Sequence, residues 1–153
     1  MLTTLELENY RGFRRYRLAG LARVNLLVGK NNCGKTSVLE AVHLVASGGD
    51  PGVLPSTAWL RGEVAFAVPN RAGTAYETCP VLTHFFHGHE FRAGVSFTVR
   101  TSDGVGEMMV RVVEIADLPR IERDRLFLEP QQTSLSEPFS LRNDLAVRIQ
   151  RRG

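Results

Sequence analysis

The chain has 153 residues and a mass of 17.0 kDa, and 43% of its side chains are apolar while 23% are charged. This balance is typical of one globular domain and excludes wholesale disorder. No apolar run approaches the roughly 20 residues of a membrane-spanning helix, and the polar, acidic N-terminus is unlike a signal peptide. We therefore expect a cytoplasmic protein that has no membrane partner.

The net charge of +3 is concentrated in the first third of the chain. Residues 1–50 hold seven Lys and Arg against four Asp and Glu, whereas residues 51–153 hold twelve of each. This excess favours an anionic ligand such as a nucleotide or a nucleic acid, although a solvated strand face explains Arg14–Arg17 equally well. Cys33 and Cys79 lack a CxxC partner, so we expect reduced thiols rather than a zinc site.

Three strands and a helix are predicted in the first 50 residues. Residues 2–8 and Phe13–Leu18 alternate apolar and polar side chains, as half-buried strands do. Val24–Val28 (VNLLV) is almost entirely apolar, which favours a strand buried on both faces. In Thr36–Ala46 the period changes, and apolar residues recur at helical spacing, at Val38, Leu39, Val42 and Val45.

The rest of the chain, residues 51–153, has the pattern of a β-meander. Residues 50–62 are expected to be an irregular connection in which Trp59 is a packing anchor. Strands are predicted at Glu63–Val68, Val95–Val99, Met108–Ile115 and Arg125–Leu128, with turns at Pro69–Pro80 and a short helix at Leu141–Ile149. Because the chain stops after that helix with no closing element, we expect the start of a truncated second part there.

The most specific signal is Gly29–Thr36 (GKNNCGKT), a complete Walker A sequence, GxxxxGK[ST]. It follows the apolar VNLLV run and precedes the predicted helix, as a phosphate-binding loop requires. Gly29 and Gly34 permit a tight turn, and the backbone N–H groups of Asn32–Thr36 form an anion site at the helix N-terminus. The alternative is a glycine-rich turn that merely begins a helix.

Individual side chains of this loop have distinct expected roles. Lys35 supplies a positive charge between the β- and γ-phosphates of a nucleotide. The hydroxyl of Thr36 is placed to bind Mg²⁺, and Ser37 adds a contact to the α-phosphate.

The first 47 residues resemble the ABC-type ATPases of the RecF, SMC and OLD group, which are widely described as AAA-family ATPases. The matching positions are Leu7, Asn9, Tyr10, Arg11, Phe13, Asn25, Gly29, Asn31, Gly34, Lys35, Thr36, Ser37, Leu39, Glu40 and Ala41. The resemblance implies one partial ATP-binding domain over residues 1–153. Its expected fold is an α/β P-loop NTPase lobe, with the Walker A helix packed on a mixed sheet that has a parallel core and an antiparallel β-meander.

The resemblance also implies ligands and site residues. ATP and Mg²⁺ are the expected cofactors, bound by Gly29 and by Asn31, Asn32, Cys33, Gly34, Lys35, Thr36 and Ser37. Arg11 is expected near the nucleotide phosphates. Leu126–Gln131 looks like the strand that ends at the Q-loop, so Gln131 or Gln132 is a candidate metal contact, with an exposed loop amide as the alternative.

Several parts of a complete ATPase are missing from the sequence. A Walker B strand of four apolar residues ending in Asp-Glu does not occur, and Val112–Asp117 is the nearest segment. An LSGG-like signature, a switch histidine and a Toprim-type acidic cluster are also not found. We therefore predict that this chain alone binds ATP but hydrolyses it negligibly.

His84, His87 and His89 are weaker candidates. On a strand, His87 and His89 would share one face and permit a metal pair, but ordinary strand histidines are the better interpretation. A Ser/His/Asp hydrolase is excluded because there is no nucleophile elbow.

Two functions remain open from the sequence. One is the ATP-binding lobe of an OLD/RecF/SMC-like ATPase in DNA repair or anti-phage defence, which would form a head-to-head homodimer or serve a partner nuclease and act on DNA. The other is a stand-alone nucleotide-binding module that associates with another chain without hydrolysis. A small GTPase or kinase is disfavoured because an NKxD-like motif is missing.

Overall fold

A computed structural model describes residues 2–69, 76–102, 106–122 and 145–152. In chain order the elements are β1 Thr4–Tyr10, β2 Phe13–Ala19, α1 Lys35–Ala46, α2 Val53–Arg61, β3 Val64–Pro69, β4 Tyr76–Pro80, β5 Ser96–Thr101, β6 Glu107–Glu114 and β7 Leu145–Arg152. Five strands form one sheet in the order β2-β1-β5-β6-β7, and β3 and β4 form a separate two-stranded ribbon. The fold is therefore mixed α/β.

Every strand pairing within the described residues is antiparallel. The antiparallel meander is thus confirmed at β5 and β6, but the expected parallel core is wrong for this part of the chain. A parallel pair needs a crossover that returns the chain to the same end of the sheet. Here α1 and α2 lead instead into the ribbon of β3 and β4.

The main core lies where the sheet meets α1. Alternation in β1 buries Leu5 and Leu7, while Glu6 and Glu8 point to the other face. The same hydrophobic cluster includes Val99 of β5. From α1 it takes Val38, Ala41, Leu44 and Val45, which lie three or four residues apart on one helix face. Leu39, predicted for that face, is 59% exposed.

The arginine cluster on β2 is paired across the sheet. Arg17 lies opposite Glu6 and Arg15 opposite Glu8 in the β1–β2 register, with N···O distances of 3.1 Å and 3.4 Å. These arginine side chains are exposed, so each ion pair adds little stability. Because the acidic partners offset their charge, the structure favours a solvated strand face over a nucleic-acid surface here.

Val24–Val28 is not a strand buried on both faces, contrary to the prediction. Val24, Leu26 and Val28 are 89%, 86% and 80% exposed, and only Leu27 packs against the core. In the described part of the chain no strand pairs with this segment. An apolar run needs a neighbouring strand edge to become a central strand, and the described residues supply none for this segment.

Residues 50–62 are also different from the prediction, because they contain helix α2. Pro55 is the third helical residue, where its missing N–H would have no intrahelical acceptor, so proline is tolerated. The side chain of Asp50 accepts a hydrogen bond from the N–H of Gly52 at 2.9 Å and shapes the entry to the helix. Trp59 is 50% exposed and is not a packing anchor.

The predicted C-terminal helix at Leu141–Ile149 is wrong from residue 145 onward. Leu145–Arg152 forms β7, which pairs with β6 over eight residue pairs, from Glu107↔Arg152 to Glu114↔Leu145. The edge of β6 pairs with the whole segment, whereas an isolated short helix is only marginally stable. The candidate strand at Arg125–Leu128 lies outside the described residues. No helix in the described ranges is both long and apolar enough to cross a membrane.

Candidate functional site

The glycine-rich loop joins the exposed Val24–Val28 segment to α1. Helix α1 begins at Lys35, and its cap residue Gly34 has φ 90°, in the left-handed region that favours glycine. A Cβ atom on Gly34 would lie 2.4 Å from Cζ of Phe13, so a side chain has no room there. The loop is therefore held directly against β2.

The N-terminus of α1 suits a phosphate group. Gly34 has no side chain to cap the helix, and no side-chain cap hydrogen bond is present. The first N–H groups of an α-helix have no intrahelical acceptor, and the helix dipole favours an anion beside them. The donor chemistry at this point thus fits the phosphates of a nucleotide.

Lys35 folds back onto its own loop. Its Nζ donates hydrogen bonds to the carbonyl oxygens of Gly29 at 2.8 Å and Lys30 at 2.7 Å, and lies 3.6 Å from Sγ of Cys33. These contacts place the ammonium group within the turn of the loop rather than in the core. The exposed hydroxyl of Thr36 follows it on the first turn of α1.

A cleft of about 470 Å³ opens beside this loop. Asn32, Cys33 and Gly34 of the loop line it, together with Ser37 of α1. The other lining residues come from three separate segments: Arg11, Gly12 and Phe13 after β1; Arg61 and Glu63 at and after the end of α2; and His84, His87, Gly88 and His89 before β5. The fold therefore brings Arg11 and part of the Walker A loop to one cavity.

Arg11 is buried at the base of this cleft. Its Nη1 and Nη2 donate to the two carboxylate oxygens of Glu63 at 2.7 Å and 3.1 Å, and its carbon Cζ lies 4.2 Å from the centre of the Phe85 ring. Nε lies 2.7 Å from Oε2 of Glu40, and these two buried atoms meet as an ion pair rather than through an aligned hydrogen bond. Burial is the largest influence and disfavours the charged guanidinium, but the hydrogen bonds to Glu63 and the nearby negative groups together outweigh it and raise the pKa of Arg11.

Glu40 and Arg61 extend this cluster towards the loop. Arg61 of α2 forms an ion pair with Glu40 of α1, and its Nη2 donates to Oγ of Ser37 at 3.3 Å. Sequence reasoning found Glu40 only as a motif position and missed Arg61 and Glu63. The positions of Arg61 and Glu63 in the sequence do not indicate this cluster, because helix α2, which was not predicted, brings them to the buried charges around Arg11.

The histidines lie on two short 3-10 turns, Leu82–Phe85 and His87–His89, and not on a strand. The N–H of Arg11 donates to the carbonyl of Phe85 at 2.9 Å, which fixes these turns against the end of β1. The rings of His84 and His89 meet edge to face at 4.7 Å. Among the described residues there is no group of three or more metal-binding side chains, so nothing supports a histidine metal site. Gln131 and Gln132 lie outside the described residues.

Comparison with known proteins finds similarity to ATPases in the N-terminal part of the chain. Residues 1–66 match the family described as AAA ATPase domain. A stretch of 47 residues, 31% of this chain, is 47% identical to the DNA replication and repair protein RecF of Acinetobacter baylyi and 40% identical to RecF of Clostridioides difficile. The N-terminal part of the chain resembles RecF-type ATPases.

The RecF-like similarity covers a small part of each relative. The matched stretch is 13% of the length of either RecF protein and 22% of an uncharacterised protein of Methanocaldococcus jannaschii that is 43% identical over 47 residues. No solved structure matches this chain significantly. The family match at residues 1–66 includes Arg11, the loop, Glu40 and Glu63, but it ends before the histidine turns.

Proposed function

We propose that this chain is the ATP-binding lobe of a RecF-like ATPase and holds a nucleoside triphosphate in the cleft beside the Walker A loop. The observation that carries the proposal is that the glycine-rich loop ends at an uncapped helix N-terminus which lines a cleft. A stand-alone nucleotide-binding module that associates with another chain remains the second candidate.

Each loop residue has an assigned role in this proposal. Gly29 and Gly34 shape the turn, and the backbone N–H groups of Asn32–Thr36 bind the phosphates. The ammonium group of Lys35 either moves from the loop carbonyls to the β- and γ-phosphates or divides its N–H donors between the carbonyls and the phosphates. Ser37 contacts the α-phosphate. Arg11 adds positive potential nearby, although two carboxylates offset its charge.

Mg²⁺ fits the same arrangement through Thr36, whose hydroxyl is exposed on the first turn of α1. When bound with ATP, the ion would neutralise phosphate charge. Gln131 stays a candidate second contact from the sequence alone. The sequence contains no Walker B aspartate and glutamate that would position Mg²⁺ and water for hydrolysis.

The wider setting rests on the resemblance only. A role in DNA repair or anti-phage defence, an OLD-like subtype, a head-to-head homodimer, a nuclease partner, DNA binding and a cytoplasmic location are all parts of the proposal. The similar RecF proteins are named as DNA replication and repair proteins.

The test uses the two lysines of the loop as a matched pair. Lys35→Ala removes the ammonium group that contacts the loop carbonyls, whereas Lys30→Ala removes an exposed lysine from the same loop. We expect Lys35→Ala to weaken Mg·ATP binding at least about tenfold, since charge-assisted contacts to phosphate are strong, and Lys30→Ala to change it less than about threefold. Isothermal titration calorimetry measures both, and thermal melting checks that each variant is folded.

Two results would contradict the proposal. One is parent protein that does not bind Mg·ATP, and the other is a folded Lys35→Ala variant with unchanged affinity. The second result would show that ATP binds away from this loop.

A further inference from the structure

We propose that His87 and Glu63 form the nucleoside-binding wall of the cleft and accept hydrogen bonds from the ribose hydroxyls or the exocyclic amine of the nucleotide. This inference rests on the proposed function, because it assumes that the phosphates occupy the loop end of the same cleft. It assigns a role to a histidine turn that lies outside the residues matched by the ATPase family.

The hydrogen bond of His87 to the backbone fixes which ring nitrogen is left for a ligand. Nδ1 of His87 lies 3.0 Å from the carbonyl oxygen of Arg11. A carbonyl oxygen only accepts, so Nδ1 carries the hydrogen and donates it. In the neutral ring Nε2 is then a hydrogen-bond acceptor, and within the described residues it has no other partner.

Glu63 provides a second acceptor on the same cleft. Its carboxylate already binds Nη1 and Nη2 of Arg11, but each oxygen retains a further lone pair. The side chain of Glu63 is 17% exposed, and Glu63 is one of the residues that line the cleft. The ion pair with Arg11 holds the carboxylate in place, which lowers the entropy lost when a ligand binds.

The lining of the cleft therefore has two chemically different parts. The loop presents N–H donors and a positive helix terminus, whereas the wall of His87 and Glu63 presents acceptors. Phosphate oxygens are acceptors and are repelled by a carboxylate, so the phosphates favour the loop. Hydroxyl and amino groups are donors, and they favour the wall. Arg11 holds this wall together, since it contacts both Glu63 and the histidine turn.

The first experiment needs no substitution. Calorimetry with the complete chain compares ATP with 2′,3′-dideoxyATP, which lacks the ribose hydroxyls, and with purine riboside triphosphate, which lacks the exocyclic amine. One lost hydrogen bond costs about 0.5–1.5 kcal/mol, so we expect about threefold to tenfold weaker binding for whichever analogue lacks the contacting donor. Equal affinities for all three ligands would overturn the inference and show that the protein contacts only the phosphates.

The second experiment separates the two ring nitrogens. His87→Asn keeps a donor near the Nδ1 position but removes Nε2, and His43→Asn is the matched control at an exposed histidine of α1 outside the cleft. We expect His87→Asn to weaken ATP binding about threefold to tenfold while binding of inorganic tripolyphosphate stays unchanged. His43→Asn leaves both affinities unchanged.

Nitrogen-15 NMR of the ligand-free protein gives an independent readout, because it distinguishes a protonated Nδ1 from a protonated Nε2 in the neutral ring. An Nδ1–H form of His87 supports the inference, and an Nε2–H form overturns it. Failure of the parent chain to bind either ATP or tripolyphosphate overturns the proposed function as well. ATP binding that is lost in Lys35→Ala but unchanged in His87→Asn overturns this inference alone.

Discussion

At the scale of single residues, the buried charges around Arg11 determine how the cleft is built. One guanidinium contacts carboxylates from two segments, Glu40 and Glu63, and packs over the ring of Phe85. Removing one partner of a buried pair leaves the other without compensation, which is far more costly than breaking a surface pair. Arg11 therefore has a structural role beside any contact with phosphate.

Glu40→Gln tests this role of the buried cluster. We expect the free energy of unfolding to fall by about 3 kcal/mol, because the ion pairs with Arg11 and Arg61 are lost together. Glu90→Gln is the control, since Glu90 pairs with Arg92 on the surface and its loss should cost less than about 0.5 kcal/mol. Urea unfolding followed by circular dichroism measures both, and similar small losses would contradict a buried ionic cluster.

Because Tyr10 is buried, we predict that the stability of the protein falls at alkaline pH. Burial raises the pKa of the Tyr10 phenol above its ordinary value of 10.0, and the nearby charge of Arg11 only partly opposes this. Above about pH 10 the unfolded chain releases this proton while the folded chain keeps it, so stability falls by up to about 1.4 kcal/mol per pH unit from this group. The free energy of unfolding of Tyr10→Phe, measured by urea titration, should fall less steeply between pH 9 and pH 11 than that of the parent protein. Parallel pH profiles for the two proteins would refute the prediction.

At the scale of elements, the same kind of apolar pattern has two different outcomes. β1 finds partners on both sides, β2 and β5, and buries Leu5 and Leu7. Val24–Val28 is more apolar than β1 but has no partner strand within the described residues, and its alternate side chains are exposed. Burial of an apolar segment lowers the free energy, but the segment becomes a buried strand only where a strand edge is available to pair with it.

Leu26→Ala and Leu7→Ala measure this difference directly. Leu26 is 86% exposed, so its truncation should change the free energy of unfolding by less than about 0.5 kcal/mol. Leu7 is 2% exposed, and its truncation should cost about 2–5 kcal/mol through lost burial and the remaining cavity. A large loss for Leu26→Ala would show that Val24–Val28 is buried in solution as the sequence predicted.

At the scale of the whole molecule, the chain has a cleft beside the Walker A loop, where we propose that ATP binds, but its sequence has no identified hydrolytic centre. Phosphoryl transfer depends on positioning and charge stabilisation, so each missing group removes a separate contribution to the rate. The nearest Walker B-like segment, Val112–Asp117, lies partly in β6 and ends in a 3-10 turn. Val112 and Ile115 are buried, whereas Glu114 and Asp117 are exposed.

We expect ATP turnover by the purified 153-residue chain to be indistinguishable from that of Lys35→Ala. One comparable group, the arginine finger of some GTPases, is worth about 10³–10⁵ in rate, so several missing groups leave little activity. Steady-state release of phosphate is the measurement. Robust turnover that disappears in Lys35→Ala would require a complete catalytic site within these residues.

The sequence by itself determined the local features of this protein. Strong alternation located β1, β2 and the β5–β6 hairpin, and helical spacing with a glycine-rich start located α1. The Walker A spacing and the Arg11 position indicated the nucleotide chemistry, because that chemistry depends on a short, contiguous motif. These features depend on neighbours along the chain.

Only the tertiary structure decided the features that depend on distant partners. The edge of β6 made Leu145–Arg152 a strand, and the lack of a described partner left Val24–Val28 exposed. The ion pairs of Arg11 with Glu40 and Glu63 and the bond from His87 to the carbonyl of Arg11 join residues 29, 52 and 76 positions apart. Local periodicity does not encode such contacts, since they arise from packing between elements.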